Sequence, residues 1–326
     1  MNEPPPEVAA GIHLLSLPTR SPWLKQVNVY AIKGPAGLLL VDTGFGTEEA
    51  LASLVEQLAA IGHAVDDVRR IVLTHAHPDH VGLARAITER SGATAQLHEA
   101  DFMFVDEAAS EDRTRAIRSW FASHGMSVEL GGGPRLPLGL PIITGFIEDG
   151  AVVEWGDHRL EALWMPGHSP GLVCLYDCTS RLLMSSDTVL ERITPNVSIF
   201  FDRPGDPLDD YLRGLSRLGE LEVDLVLPGH GPPFRALDRR LAELADHHRR
   251  RLDEVLAAVS VTPATAAELA PRLEWLGDCE GWKRLDSMNQ RSAVGETLAH
   301  LRLLSNRGDV VAEVRDDVFS WRAHRP

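Results

Sequence analysis

Five histidines and two aspartates, strewn from His75 to His230, constrain this chain more than any other feature it carries. Four of the seven share one segment, Thr74-His75-Ala76-His77-Pro78-Asp79-His80. His168 follows Pro166-Gly167, Asp187 follows Ser185-Ser186, and His230 sits within Leu227-Pro228-Gly229-His230-Gly231. Imidazole nitrogen and carboxylate oxygen form the donor set that suits a zinc-like divalent ion. Seven donors are too many for one tetrahedral ion and enough for two ions sharing a bridging ligand. A chain built this way must carry its ligands at the ends of regular elements and fold so that those ends meet.

The segments around the motifs read as such a scaffold. Gly11 to Gly44 is strand-like, with Val27–Ile32 alternating, a turn at Gly34–Gly37 and a short apolar run at Leu38–Val41. Thr47 to Ile61 has apolar residues at helical spacing and Gly62 beyond its end. Ile71-Val72-Leu73 reads as a buried strand that runs into the histidine motif, and Val81–Arg90 as one helix after it. Asp79 and His80 would then sit at a helix N-terminus, where a carboxylate is favoured by the dipole. Asp101–Gly150 breaks the rhythm and reads either as a surface insertion or as a lid, with a helix at Glu111–His124 and an irregular loop from Leu130 to Pro141. Strands return at Ala151–Trp155, Leu160–Trp164, Val173–Tyr176, Leu182–Met184 and Val223–Leu227, with a helix opened by Asp206-Pro207 between the last two. The spacing predicts a catalytic domain over residues 1–235, with 100–150 as its insertion. Residues 236–326 form a separate module of three helices and a small hairpin around Arg315-Asp316-Asp317.

Within this frame His75, His77 and His168 could form one ion site, and Asp79, His80 and His230 a second, with Asp187 donating an oxygen to each. Two ions about 3.5–4 Å apart can share a hydroxide and polarise a carbonyl or phosphoryl oxygen, so the pattern points to hydrolysis. Asp79 and Asp187 would be the carboxylates that orient the attack. Bulk properties exclude other classes. The formal net charge of −15 repels phosphate backbones and counts against nucleic acid as the main partner. Three cysteines, Cys174, Cys178 and Cys279, suit a reducing compartment better than a disulfide framework. The start of the chain lacks a basic stretch followed by an apolar run, and no apolar stretch reaches membrane-spanning length. The expectation is therefore a cytoplasmic protein with a small-molecule substrate and no membrane partner; a homodimer stays open.

On these motifs the chain resembles the metallo-β-lactamase-fold hydrolase superfamily. His75-Ala76-His77-Pro78-Asp79-His80 matches its signature, and His168, Asp187 and His230 match its later ligand motifs, over roughly Gly11 to Pro233. The resemblance implies an α+β fold, a four-layer αββα sandwich, binding two divalent metal ions, zinc first, with iron or manganese as alternatives. Asp42, in Val41-Asp42-Thr43-Gly44, matches the family's buried aspartate near the metals, although an Asx-type turn after a strand explains it equally well. Asp187 stands where β-lactam-cleaving relatives carry Cys, and Leu190 stands where lactonases of the family carry Tyr. Both departures favour an ester or thioester hydrolase acting through a metal-bridging hydroxide, with lactonase chemistry as an alternative. The C-terminal module resembles the winged-helix-like appendage of the β-lactamase-like-protein-2 subgroup rather than the glutathione-gripping end of glyoxalase-II-type thioesterases. Some members of that subgroup are described as acting on RNA, so a nuclease or RNA-processing hydrolase is the second reading. Its only basic cluster, His247-His248-Arg249-Arg250-Arg251, is flanked by Asp246, Asp253 and Glu254, which suits a solvated helix face. The loop from Thr188 to Gly205 follows the bridging aspartate, so Asn196, Phe200 and Phe201 are candidates for a substrate pocket or for ordinary packing.

Overall fold

The structure, a computed structural model, describes residues 4–21, 24–106, 111–129, 136–199, 205–259, 262–277 and 280–324. The chain divides into two compact units. The first is built from residues 1–108, 134–195 and 218–240, the second from 109–133, 196–217 and 241–326, so the boundary between them is not a single position in the chain.

The first unit holds two sheets. One has seven strands in sequential order: β1 (Glu7–Ala9), β2 (Ile12–Pro18), β3 (Gln26–Gly34), β4 (Gly37–Val41), β5 (Val68–Val72), β6 (Thr94–Leu97) and β7 (Gly145–Phe146). Between them lie the helices α1 (Glu48–Ala60), α2 (Pro78–Val81), α3 (Ala84–Ser91) and α4 (Glu99–Asp106). The other sheet has the order β12 (Leu225–Pro228), β11 (Leu182–Ser186), β10 (Val173–Asp177), β9 (His158–Trp164) and β8 (Val152–Trp155).

Alternation along the strands assigns the two cores. Val27, Val29 and Ala31 of β3, with Leu15 and Leu17 of β2, pack with Leu54 and Leu58 of α1 and Ile87 of α3. Tyr30 and Ile32 turn the other way and meet Leu160, Val173, Leu175, Met184 and Leu227 of the second sheet. Strands apolar on both sides in this way are the mark of a sheet covered on both faces, here by helices on one side and a second sheet on the other.

The expected single helix over Val81–Arg90 is in fact two, α2 and α3. The run is interrupted at Gly82 and Leu83: Gly82 keeps right-handed helical dihedrals and packs against the Gly46 backbone with no room for a Cβ, and Leu83 opens to φ −95°, ψ −2°. Thr47 caps α1 by accepting the Ala50 N–H at 3.2 Å. The short pieces β7 and α4 carry no periodic signal long enough to predict.

The second unit comprises α5 (Glu111–Ser123), α6 (Pro207–Leu218, whose last residue falls in the first unit), most of α7 (Leu237–Ala258), α8 (Ala266–Leu269), α9 (Ser287–Arg307) and the hairpin of β13 (Val310–Arg315) with β14 (Val318–Ala323). Thr265 and Glu268 form a reciprocal capping box at α8. The basic cluster on α7 is internally neutralised. Arg249 and Arg250 both pair with Asp246, and buried Arg251 pairs with Glu254 at 2.7 Å.

Two fully buried imidazoles lie where α7 meets α9. His300 Nδ1 donates to the Glu296 carbonyl at 2.8 Å, so its Nε2 is left to accept from His248 Nδ1 at 3.2 Å. Burial, with His300 beside it, pushes His248 far down, and burial holds His300 at about 3. Unfolded, both return to about 6.5, so between those values the unfolded chain binds more protons than the folded one. The stability the pair contributes is complete above about pH 6.5 and is lost as the pH falls, by up to about 1.4 kcal/mol per pH unit for each ring. Amide protection factors in α7 and α9 should therefore fall between pH 7 and pH 5, and His248→Phe should flatten that response. An unchanged response would place the acid sensitivity elsewhere.

Candidate metal centre

Parallel pairing within each sheet, of β4 with β5 and of β11 with β12, brings the candidate residues to a common end. Val41 of β4 is in register with Val72 of β5, so Asp42 and the Thr74–His80 loop leave the sheet side by side. Ser186 of β11 is in register with Pro228 of β12, which sets Asp187 beside Gly229 and His230. His168 lies on the turn between β9 and β10, and Val173 N–H donates to the Thr74 carbonyl at 2.9 Å, stitching that turn to the histidine loop. The two sheets are tied at the same end by β3. Asn28 Nδ2 donates to the Pro228 and Gly231 carbonyls at 2.9 and 2.7 Å, and Tyr30 Oη donates to Pro228 at 2.7 Å.

All seven candidates meet in one cluster. Three groups of ligand atoms lie within 4.8 Å of one another: His75, His77 and His168; His75, His80 and Asp187; Asp79, His80 and His230. Asp187 Oδ2 stands 3.6 Å from His168 Nε2, 3.6 Å from His80 Nε2 and 3.5 Å from His230 Nε2. One carboxylate oxygen is thus shared between the two histidine groups. His77 Nδ1 is 3.0 Å from both His75 Nε2 and His168 Nε2.

The outward nitrogens are already engaged, which fixes the tautomers. His80 Nδ1 donates to Asp42 Oδ2 at 2.7 Å, and His230 Nδ1 donates to the Gln26 carbonyl at 2.7 Å. Thr74 spends its hydroxyl proton on Asp42, so its oxygen is free to accept from His75 Nδ1 at 3.1 Å. Each of these three rings consequently directs a bare Nε2 inward. Asp42 and Ser186, at φ 62° and 47°, hold left-handed backbone beside the cluster, a strain the surrounding bonds sustain.

The electrostatics show what is missing from such a cluster when it holds only protons. Burial opposes charge on His230, yet Asp187 and Asp79 push its imidazole up to about 10. Burial likewise opposes charge on His80, and Asp42 with Asp187 raises it nonetheless. Burial, aided by the other imidazoles, holds His77 at about 3 and His75 well below its ordinary range. Burial would raise Asp187, but His230 and His80 hold it well down. Three buried atoms at the centre, His80 Nε2, His230 Nε2 and Asp187 Oδ1, have no hydrogen-bond partner among the described residues. Leaving one such atom unsatisfied costs about 1–3 kcal/mol, and three converging on one point fit a cation that accepts their lone pairs. The residues therefore fit a divalent metal.

The sequence's other candidates are placed as follows. Asp42 is 2% exposed and its carboxylate orients both His80 and Thr74, so it backs the ligands rather than merely closing a turn. Asn196 donates to Glu296 Oε2 at 3.2 Å within the second unit. Phe200 and Phe201 lie outside the described residues. The sequence reading missed Thr74 and Ser186, whose hydroxyls meet at 2.7 Å behind His75, and Asn28 and Tyr30, which carry no metal motif to reveal them.

The sequence profile of the metallo-beta-lactamase superfamily matches residues 22–230, and the profile of the metallo-beta-lactamase-like C-terminal domain matches residues 252–324. The chain belongs to the metallo-beta-lactamase superfamily. It is 28% identical over 257 residues to the probable metallo-hydrolase YqjP of Bacillus subtilis, covering 76% of this chain and 80% of that protein. It is 29% identical over 240 residues to the human acyl-coenzyme A thioesterase MBLAC2, covering 68% of this chain and 78% of that one. A metallo-beta-lactamase family protein of Thermus thermophilus superposes with a TM-score of 0.84 at 33% identity, covering 98% of this chain and all of that one. The fold is accordingly the superfamily's mixed α+β fold, followed by its C-terminal domain.

Gly229 shows how closely the cluster is packed. A Cβ there would collide with Asp187 Oδ1 and come within 3.0 Å of His80 Cε1. Gly229→Ala should leave the fold intact, as read by far-UV circular dichroism, while lowering the metal retained after dialysis. Full retention would mean that Asp187 can retreat without losing the site.

Proposed function

We propose that the protein is a binuclear metal-dependent hydrolase of small-molecule carboxylic thioesters or esters, with acyl-coenzyme A thioesters as the first substrate class. The observation that carries the reading is the shared position of Asp187 between two groups of imidazoles. Two divalent ions, zinc first, would be held by His75, His77 and His168 on one side and by Asp79, His80 and His230 on the other. When bound they supply Lewis acidity and a nucleophile available at neutral pH.

The chain's own residues provide position. Asp187 is 5% exposed and oriented from both sides, which suits a ligand that sets the spacing of the two halves. Asp79 has about a quarter of its side chain exposed and lies 3.4 Å from His230 Nε2, so of the two carboxylates it is the one that meets solvent. No nucleophilic side chain is needed. Ser185 donates to the Val189 carbonyl, and Cys174 is buried against the Ser185 carbonyl.

A cavity of about 370 Å³ opens beside His230. Leu24, Ile193 and Pro232 give it apolar wall, and the charged Lys25, Glu191 and Arg192 line it as well, with Arg192 Nε paired to Glu191 Oε2 at 3.0 Å. Arg240 holds that wall by donating to the Leu190 and Ile193 carbonyls at 2.7 and 2.9 Å. The apolar wall suits an acyl group and Lys25 an anionic leaving group, and the name of the MBLAC2 relatives supports the same class. The neutralised arginines of α7 offer nothing comparable to RNA.

The test is to count bound metals by elemental analysis and to assay acyl-CoA, acyl-glutathione, lactone, aryl-ester and RNA substrates with Asp187→Ala as control. The expected result is two metals per chain, turnover of acyl-CoA and loss of more than about 100-fold in Asp187→Ala, beyond the range for an outer partner of a ligand. Equal turnover by wild type and variant would sink the reading. The Lys25→Glu, Arg192→Glu double variant should raise KM for acyl-CoA about tenfold, roughly one surface ion pair's worth for each charge, and leave an uncharged aryl ester unaffected.

A further inference from the structure

Asp101, in the first turn of α4, lies outside every motif that suggested a function, yet it touches both loops that carry the three-histidine group. Its side chain is fully buried. Oδ2 accepts the Ala76 N–H at 2.7 Å, the backbone link between His75 and His77. The same oxygen accepts the Ser169 hydroxyl at 2.8 Å, one residue beyond His168, and Oδ1 accepts the Gly171 N–H at 2.6 Å. A Cβ on Gly171 would lie 2.8 Å from the Cβ of Asp101, so the turn can approach only as glycine. The turn is gripped from its other side as well, where Trp164 Nε1 donates to the Pro170 carbonyl at 2.8 Å and its ring stacks on His98 at 5.1 Å. His98 in turn accepts the Ala100 N–H that opens α4.

From this arrangement we infer that Asp101 is a positioning residue for the three-histidine half of the metal centre: by clamping the Ala76 and Gly171 backbones and the Ser169 hydroxyl to one carboxylate it holds His77 and His168 at their 3.0 Å separation. The inference rests on the two-ion reading above. A carboxylate is suited to this task because it only accepts, and three donors converge on it. Asparagine there would turn an NH₂ toward at least one of those donors, and the two loops would part. The other half of the centre, Asp79, His80 and His230, is held by Asp42 and the Gln26 carbonyl, neither of which involves Asp101.

The two halves should therefore respond differently. Zinc alone is the probe, titrated into metal-free wild type, Asp101→Asn, Ser169→Ala and Asp177→Asn in competition with a chromophoric chelator. Asp177 is the control: it is about equally buried and accepts from His158 Nδ1 at 2.9 Å and the Thr179 N–H at 2.9 Å, at the end of β10 opposite the His168 turn. The expected result is two tight equivalents in wild type and in Asp177→Asn. In Asp101→Asn one equivalent should weaken by about 10- to 100-fold while the other keeps its affinity, and Ser169→Ala should show a smaller loss at the same equivalent. Two unchanged equivalents in both Asp101→Asn and Ser169→Ala would overturn the role, as would an equal loss at both sites or the same loss in Asp177→Asn. Fewer than two equivalents in wild type would instead overturn the two-ion reading on which it stands.

Discussion

Burying five imidazoles and two carboxylates at the end of a β-sandwich is the constraint on which the rest of this structure depends. Charged or half-satisfied groups in such a place are costly unless a cation balances them. Among the described residues the inward nitrogens of His80 and His230 and one oxygen of Asp187 have no hydrogen-bond partner, while the outward nitrogens of both rings are engaged. That asymmetry is what separates a metal cradle from a network of buried polar side chains, which would satisfy itself.

Holding the cradle open requires anchors on both sheets. Asp42 orients His80 directly and His75 through Thr74, at the price of left-handed backbone. Asn28 and Tyr30 fasten the His230 loop to the first sheet through carbonyls. Asp101 joins the histidine loop to the His168 turn. Each anchor is a side chain bonded to the backbone of a different segment, so the ligands sit on loops whose positions are set from several directions. Hydrolysis follows from the cradle, and the choice of substrate from what flanks it. The apolar wall beside His230 is a feature that the cluster by itself does not supply.

Much of the site was legible before folding because metal ligation is a matter of residue type and short-range spacing. His75, His77, Asp79 and His80 announce themselves, and Gly-Pro turns flag His168 and His230. Elements with long periodic stretches, such as α1, α7 and α9, were also readable, since an amphipathic face needs no tertiary information to be recognised. The break between α2 and α3 was not, because it lies where Gly82 packs against Gly46, a neighbour far away in sequence.

What the chain alone determined was the donor set, the sheet-and-helix scaffold and hence a metal-dependent hydrolytic chemistry. Only the folded structure decided that Asp187 stands between two histidine groups, that Asp42 and Asp101 hold them, and that residues 109–133 and 196–217 cluster with the C-terminal helices. The reason is physical: ligand identity is written in single side chains and local spacing. Their mutual geometry comes from parallel strand register and from hydrogen bonds between segments far apart in sequence, which no local pattern records.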